Sequence, residues 1–483
     1  MPSASRAPSV LANLSVVKAA ALTPPSDRRN FGDAVATRNN IFRNALDAAQ
    51  LLEPVTNDKY TLNLSDVRYE DPDKHPLSAQ KQAVLEGRSI GRRLRGTWNL
   101  VDNLTKKPVS TRRTTLATVP YMTSRGTFIN KGNEYTVSHQ MRLKSGVYTR
   151  EKENGELEAH VNVLPGKGVS HRLYLDPKTG VFRFQIGQAR IPLISVMRAM
   201  GAKDKQLRDA WGNDLTAANM QKANPSDLTK LYQRLVRGGV EEGAPARSQA
   251  VAQAITRMEL NPKVTQRTLG KEFKNVSLDS ILATTRKLLS VRHRNDAKQL
   301  AKLGLSPQDP DDRDSLAYMR LLGPEDIISE RIGKSAGLLR QLLWKATPRG
   351  NVDNIYPGVF DKAVQAALLS SGLGNLSESI NPIQLYEQQI RVTRMGEGGI
   401  PGIDSVPETS RNVQSSHFGF IDPLLTPESG RAGVDLRIAG KTMKGADGKI
   451  YTQVRARTGR LVWKSPEEMV DAVVAFPGEL RRG

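Results

Sequence analysis

The sequence predicts an α+β, multidomain fold, and three observations along the chain carry that prediction. From residue 60 to residue 148 the chain is rich in β-branched and alternating residues, as in Thr115-Leu116-Ala117-Thr118-Val119-Pro120-Tyr121-Met122, with turn residues between the segments. After Ile191-Pro192 the pattern turns helical and stays so to about residue 350. From Gly396 onward glycine and proline become dense, and short strands return near residues 450–462. With 483 residues and roughly 100–200 residues per domain, two to four domains are expected, each long enough to bury a core.

Taken in order, residues 1–55 mix Ser, Pro, Ala and Arg and then give a helical pattern over 40–52 (Ile41, Leu46, Ala49, Leu52). This stretch reads as an extension or arm. Strands continue over 155–190, where Asp176-Pro177-Lys178-Thr179-Gly180 has the turn chemistry to join 172–175 to 181–186 in a hairpin. Helices over 244–258 and 278–291 alternate with loops that carry Pro225, Pro262, Pro307 and Pro310. No fixed-period repeat is visible.

Lys and Arg number 71 against 49 Asp and Glu, a formal charge of +22 with pI near 10, so an anionic partner is expected and nucleic acid comes first. A membrane surface is the rival anion, but no apolar run approaches the roughly 18 residues that a spanning helix needs. The apolar stretch at 16–22 is interrupted by Lys18 and preceded only by Arg6, which argues against a secretory signal. The absence of cysteine excludes disulfides, thiolate catalysis and cysteine-ligated zinc, and the six histidines show no H-E-x-x-H spacing.

Gly333-Lys334-Ser335 has the tail of a phosphate-binding loop, but position 328 is Ile where a Gly is required, so a helix carrying one glycine is expected. Asp309, Asp311, Asp312 and Asp314 resemble a divalent-cation loop, yet Asp314 holds the place that demands glycine. They read instead as an acidic N-cap ahead of a helix over 315–322. Nucleotidyl transfer needs carboxylates that hold two metal ions, and no such cluster exists in this chain. Basic residues recur at Arg92-Arg93-Leu94-Arg95, Arg112-Arg113, Arg286-Lys287, Arg292-His293-Arg294 and Arg391 with Arg394, the last followed by Gly396-Glu397-Gly398-Gly399. That distribution, with only 5% aromatic residues, points to backbone contact more than to base stacking.

Three ordered segments together resemble the β subunit of multisubunit, DNA-directed RNA polymerase. The first runs from Pro120-Tyr121-Met122-Thr123 through Gly126-Thr127-Phe128-Ile129-Asn130-Lys131-Gly132-Asn133-Glu134 and Val137-Ser138 to Gly146-Val147-Tyr148. The second is Asp311-Asp312-Arg313-Asp314-Ser315-Leu316. The third begins at Asn381-Pro382, passes Arg391-Val392-Thr393 and Gly398-Gly399, and continues with Arg411-Asn412-Val413, His417-Phe418-Gly419 and Thr426-Pro427-Glu428-Ser429-Gly430. Departures from the family pattern are Gln388 for His, Ile390 for Arg, Leu425 for Glu and Arg431 for Asn.

The resemblance implies an N-terminal extension (1–55), a β-rich protrusion in two chain segments (56–149 and 305–395) and an inserted helical, lobe-like domain (150–304). A fork region and the first strands of a catalytic β-barrel would follow (396–483). It implies RNA or hybrid contacts at Asn375, Glu378, Gln388, Arg391, Thr393, Arg394, Glu428 and Arg431, and DNA contacts at Arg320 and Arg411. No catalytic or metal-holding residue is expected in this chain; Mg²⁺ would sit in a β′-like partner. Expected partners are the C-terminal half of β, β′-like chains, template DNA and nascent RNA, in a hetero-oligomer without membrane. Because family members continue for several hundred residues, a split β of giant-bacteriophage type is expected, in the host cytoplasm during infection or packaged in the virion, with a truncated chain as the alternative. A non-enzymatic, basic DNA-binding virion structural or packaging protein would explain the charge and the missing cysteine, but not the three ordered segments.

Overall fold

The computed structural model describes residues 29–224, 226–235, 244–378, 380–445, 447–470 and 472–475. The chain divides into two compact units, one made of Met1–Arg142 with Asp314–Gly483 and the other of Leu143–Arg313. Both combine helices with sheets, so the fold is α+β.

In the first unit, the helix Ala34–Gln50 starts where the Asp33 carboxylate accepts from Ala36 N at 2.9 Å. Ile41, Phe42, Ala45 and Ala49 recur at helical spacing and are all buried. The expected arm is therefore corrected over 29–50: an apolar stripe of this kind needs a core, and here it has one. Arg29–Asn30 is likewise integrated, pairing antiparallel with Met443–Lys444. Residues 1–28 lie outside the described residues.

Next to this helix lies an antiparallel sheet in the order Val55–Thr56, Tyr60–Tyr69, Gly91–Asp102, Pro108–Pro120. Leu94, Trp98 and Leu100 alternate inward along one strand, and Ala117 and Val119 along the next. The short strands Phe128–Asn130, Asn133–Val137 and Gly374–Leu376 form a second sheet. A third is assembled from distant stretches, in the order Met319–Leu322, His139–Leu143, Arg391–Thr393, Asp435–Ile438, Ile421–Asp422. His139–Leu143 and Arg391–Thr393 run parallel, which a chain can achieve only through a long connection.

Residues 315–322 are not a helix. Leu316–Tyr318 is a single 3-10 turn and Met319–Leu322 is an edge strand of the third sheet. The aspartates before it are accordingly not caps. Asp314 pairs with Arg394, while Asp311 accepts from Thr149 N and Oγ1 at 2.8 Å and from Lys287 Nζ at 2.6 Å. Gly333 ends the helix Pro324–Gly333, and Ser335 starts the helix Ala336–Ala346.

The second unit holds a five-stranded antiparallel meander: Gly146–Glu151, Leu157–Asn162, His171–Leu175, Phe182–Ile186 and Ala189–Pro192. The inserted region thus carries strands over the stretch 155–190 where they are expected, beside its helices. The hairpin expected at Asp176 is present, its carboxylate accepting from Lys178 N at 2.9 Å and Thr179 N at 3.4 Å. Helices Ala244–Thr256 and Leu278–Arg292 match the pattern seen in sequence. Phe182 stacks on Trp211 at 4.8 Å, and the indole N–H donates to Thr285 Oγ1 at 2.9 Å, so the core's largest polar handle is satisfied.

Candidate nucleic-acid interface

The segment that carries most of the expected contacts, residues 374–393, is a strand, a loop, a helix and a second strand. Gly374 is required where the first strand begins, because a Cβ there would lie 1.6 Å from the Leu368 carbonyl oxygen. Asn375, opposite Thr136 in the sheet, is exposed, as are Leu376 and Glu378. The helix Pro382–Gln389 opens with the Asn381 side chain accepting from Ile383 N at 3.0 Å and with proline at its first position. Gln388 donates to the Glu378 carbonyl at 3.2 Å, and Gln384 donates to the Glu378 carboxylate. Glu378 and Gln388 are therefore brought together, and the loop is closed by its own side chains. Gln389 ties the helix to the turn at Gly126 by donating to Arg125 O at 2.7 Å.

The second strand enters the third sheet. Arg391, half-buried, lies 3.6 Å from the Asp435 carboxylate, and Arg431, 54% exposed, lies 3.2 Å from the same group. Asp435 is itself only 2% exposed. One buried carboxylate thus gathers two of the expected hybrid-contacting arginines, a role that no motif in the sequence announced. Glu428 is exposed. Thr393 is buried, its hydroxyl accepting from Met395 N at 3.2 Å.

Arg394, expected at the hybrid, turns inward. It is 3% exposed and donates to Asp314 at 2.8 Å, with Nε and Nη2 buried without partners. Nearby His417 is pushed down to about 4, by burial first and by the Arg394 charge second, so it stays neutral. The glycine loop holds its backbone against the protein, while Glu397 and Gly398 are exposed. Gln140 donates to Met395 O at 2.8 Å, Arg142 donates to Glu397 O at 2.9 Å, and a Cβ on Gly399 would lie 2.7 Å from Arg394 O. Its close backbone approach serves the protein interior.

The expected DNA contacts differ from each other. Arg320 is 53% exposed and 3.5 Å from Asp326. Arg411 instead clasps three carbonyls, those of Gly430 at 2.6 Å, Ile403 at 3.2 Å and Ala432 at 3.3 Å. Gly433 completes the clasp: its φ is +70°, and a Cβ there would meet Arg411 O at 2.1 Å.

Most of the basic clusters singled out in the sequence are neutralised within the fold. Arg93 pairs with Asp71, Arg95 with Glu70, and Arg113 with Glu70 and Asp66, while Arg92 pairs with Asp73 and lies over the Phe42 and Tyr69 rings. Lys287 and Arg294 pair with Asp311 and Glu151. Among the described residues, no group of three or more His, Cys, Asp or Glu side chains is placed to hold a metal ion. No helix among them is long and apolar enough to cross a membrane.

No protein-family model matches the chain. Along most of its length, however, it is similar to bacterial RNA polymerase β subunits. It is 23% identical over 484 residues to the DNA-directed RNA polymerase subunit beta of Prochlorococcus marinus (strain NATL1A), covering 93% of this chain and 42% of that protein. To the subunit of the same name from Synechococcus sp. (strain WH7803) it is 23% identical over 418 residues, covering 80% of this chain and 37% of that protein. The chain spans about two-fifths of the length of the curated relatives it matches.

Proposed function

We propose that this chain is the N-terminal portion of an RNA polymerase β subunit and works in a complex that makes RNA on a DNA template. The observation that carries the reading is similarity to β subunits over 93% of the chain. Its share of the mechanism is positional, because the aligned nucleic acid does not react with the walls that hold it. Asn375, Glu378, Gln388, Arg391, Glu428 and Arg431 would face the RNA–DNA hybrid, and Arg320 the downstream DNA. Thr393, Arg394 and Arg411 would act indirectly, by fixing the backbone that presents them. The two-metal chemistry, Mg²⁺ included, belongs to a β′-like partner, and the remaining part of β completes the centre. In its finer form the proposal is a split β of giant-phage type, acting in the host cytoplasm or packaged in the virion.

The test is purification of the chain with its native partners, mass spectrometry of the intact complex, and nucleotide incorporation on a primed RNA–DNA hybrid. The complex is expected to contain a chain with an aspartate triad and to extend the primer, whereas the isolated chain is expected to extend nothing. Sustained Mg²⁺-dependent synthesis by the chain alone would overturn the proposal. Recovery with virion structural proteins only would favour a packaging role.

A further inference from the structure

The strands Ile450–Arg455 and Leu461–Lys464 form an antiparallel hairpin, with Gln453 opposite Trp463 and Arg455 opposite Leu461. Its turn closes by hydrogen bonds from Ala456 N to Arg460 O and from Gly459 N to Ala456 O, both 2.8 Å, with Gly459 at φ +80°. Residues 450–464 carry Arg455, Arg457, Arg460 and Lys464 and no Asp or Glu. The three arginines are exposed, and among the described residues their guanidinium groups make no ion pair or hydrogen bond. The carboxylates that flank the hairpin are engaged elsewhere. Asp447 accepts from Tyr451 OH at 2.9 Å, Glu467 pairs with Lys449, and Glu468 accepts from Ser465 N at 2.9 Å.

This contrasts with the first sheet, where Arg68, Arg92, Arg93, Arg95 and Arg113 each pair with a carboxylate. Three like charges within six residues repel one another, and a fold that leaves them unmatched leaves a site for an anion. Guanidinium groups are planar forks suited to phosphate oxygens, and a β-hairpin holds its side chains at fixed spacing. Trp463, half-buried, lies on the same face as Arg455 and Gln453, which adds an aromatic surface and an amide beside the charge. Stacking platforms next to cations suit a nucleic-acid strand better than the carboxylates of an acidic protein. We propose that the hairpin 450–464 is a nucleic-acid contact, with Arg455, Arg457 and Arg460 gripping the phosphate backbone. It deepens the polymerase reading and rests on it only for which strand is held.

The full chain carrying R455A/R457A/R460A should be compared with wild type by fluorescence anisotropy, using labelled single-stranded DNA and an RNA–DNA hybrid over a range of salt. Each lost phosphate contact lowers the slope of log K against log salt by roughly 0.7–0.9, so a fall of about 2–3 is expected, with binding at least ~10-fold weaker at low salt. The triple lysine variant should keep the slope. In wild type, arginine-selective dicarbonyl labelling read by mass spectrometry should show the three residues protected when nucleic acid is bound, a readout that needs no variant to fold. An unchanged slope with unprotected arginines overturns the proposal. So does loss of a protein partner with nucleic-acid binding intact, which would assign the hairpin to an acidic protein. Failure of the polymerase reading would appear separately, as the wrong partner chains in the purified complex.

Discussion

Asp311 and Asp314 stand three residues apart, and each neutralises a buried cation of its own unit, Lys287 and Arg394. Burial lowers the Lys287 ammonium below the ordinary lysine value while Asp311 opposes that shift. Removing the carboxylate strands a charge with 7% exposure, so Asp311→Ala should destabilise the second unit by about 3–5 kcal/mol, read as a lower urea midpoint. A loss under about 1 kcal/mol would mean that the pair contributes little net stability. These roles were illegible in sequence because the partners lie 24, 80 and 162 residues away, whereas capping is a local pattern and was the reading that presented itself. His171 gives a pH signature. Burial pushes it down to about 4, where the unfolded chain would bind a proton below about 6.5. Its folded pKa is depressed, so its stabilising contribution is complete above pH ~6.5 and is lost as pH falls toward 4. The urea midpoint of wild type should drop between pH 7 and 4.5, and the drop should be shallower in His171→Phe, which keeps the packing on Phe184. Identical pH profiles would exclude the histidine as the cause. His160 is lowered to about 4 as well, yet it retains partial surface exposure, so His171 is the cleaner test.

At the scale of elements, local chemistry was readable and remote pairing was not. The Asp176 hairpin and the two long helices appeared in sequence because a turn residue or a 3.6-residue period specifies them within their own span. The helix Leu77–Leu85 did not, since Leu77 and Leu85 are exposed and Ala83 is its only buried residue, leaving no apolar stripe to see. Met319–Leu322 reads as helix in the sequence because its partner strand, His139–Leu143, lies far upstream. In the candidate interface, Asn375, Glu378 and Arg431 are exposed, as the expected contacts require, while Asp435 and the inward turn of Arg394 are not legible in sequence, for the same reason. The loops around Ile403 and Gly430 depend on one side chain. Arg411→Ala frees three carbonyls, and at about 0.5–1.5 kcal/mol net per hydrogen bond the loops should open by roughly 1.5–4.5 kcal/mol. Hydrogen exchange should speed up in residues 403–411 and 430–434 while the sheet strands keep their protection; unchanged exchange would refute the clasp.

For the whole molecule, the inserted unit has its own core, running from Val147 through Phe182, Trp211 and Leu288 to Val291. Residues 143–313 expressed alone should therefore unfold cooperatively in urea and show dispersed amide resonances, and a broad, featureless transition would contradict that autonomy. The rest of the chain cannot be separated in the same way. Its third sheet needs Met319–Leu322, His139–Leu143, Arg391–Thr393, Ile421–Asp422 and Asp435–Ile438 together, and Arg29–Asn30 waits for Met443–Lys444. On the ribosome this interleaving imposes a schedule. His139–Leu143 emerges about 250 residues before Arg391–Thr393, which at about 5–20 residues per second is a delay of roughly 12–50 s. Throughout that interval the nascent strand has an open edge, the insert can finish folding, and the half begun first is completed last, so the earliest-made part of the chain is the one most in need of shelter during synthesis.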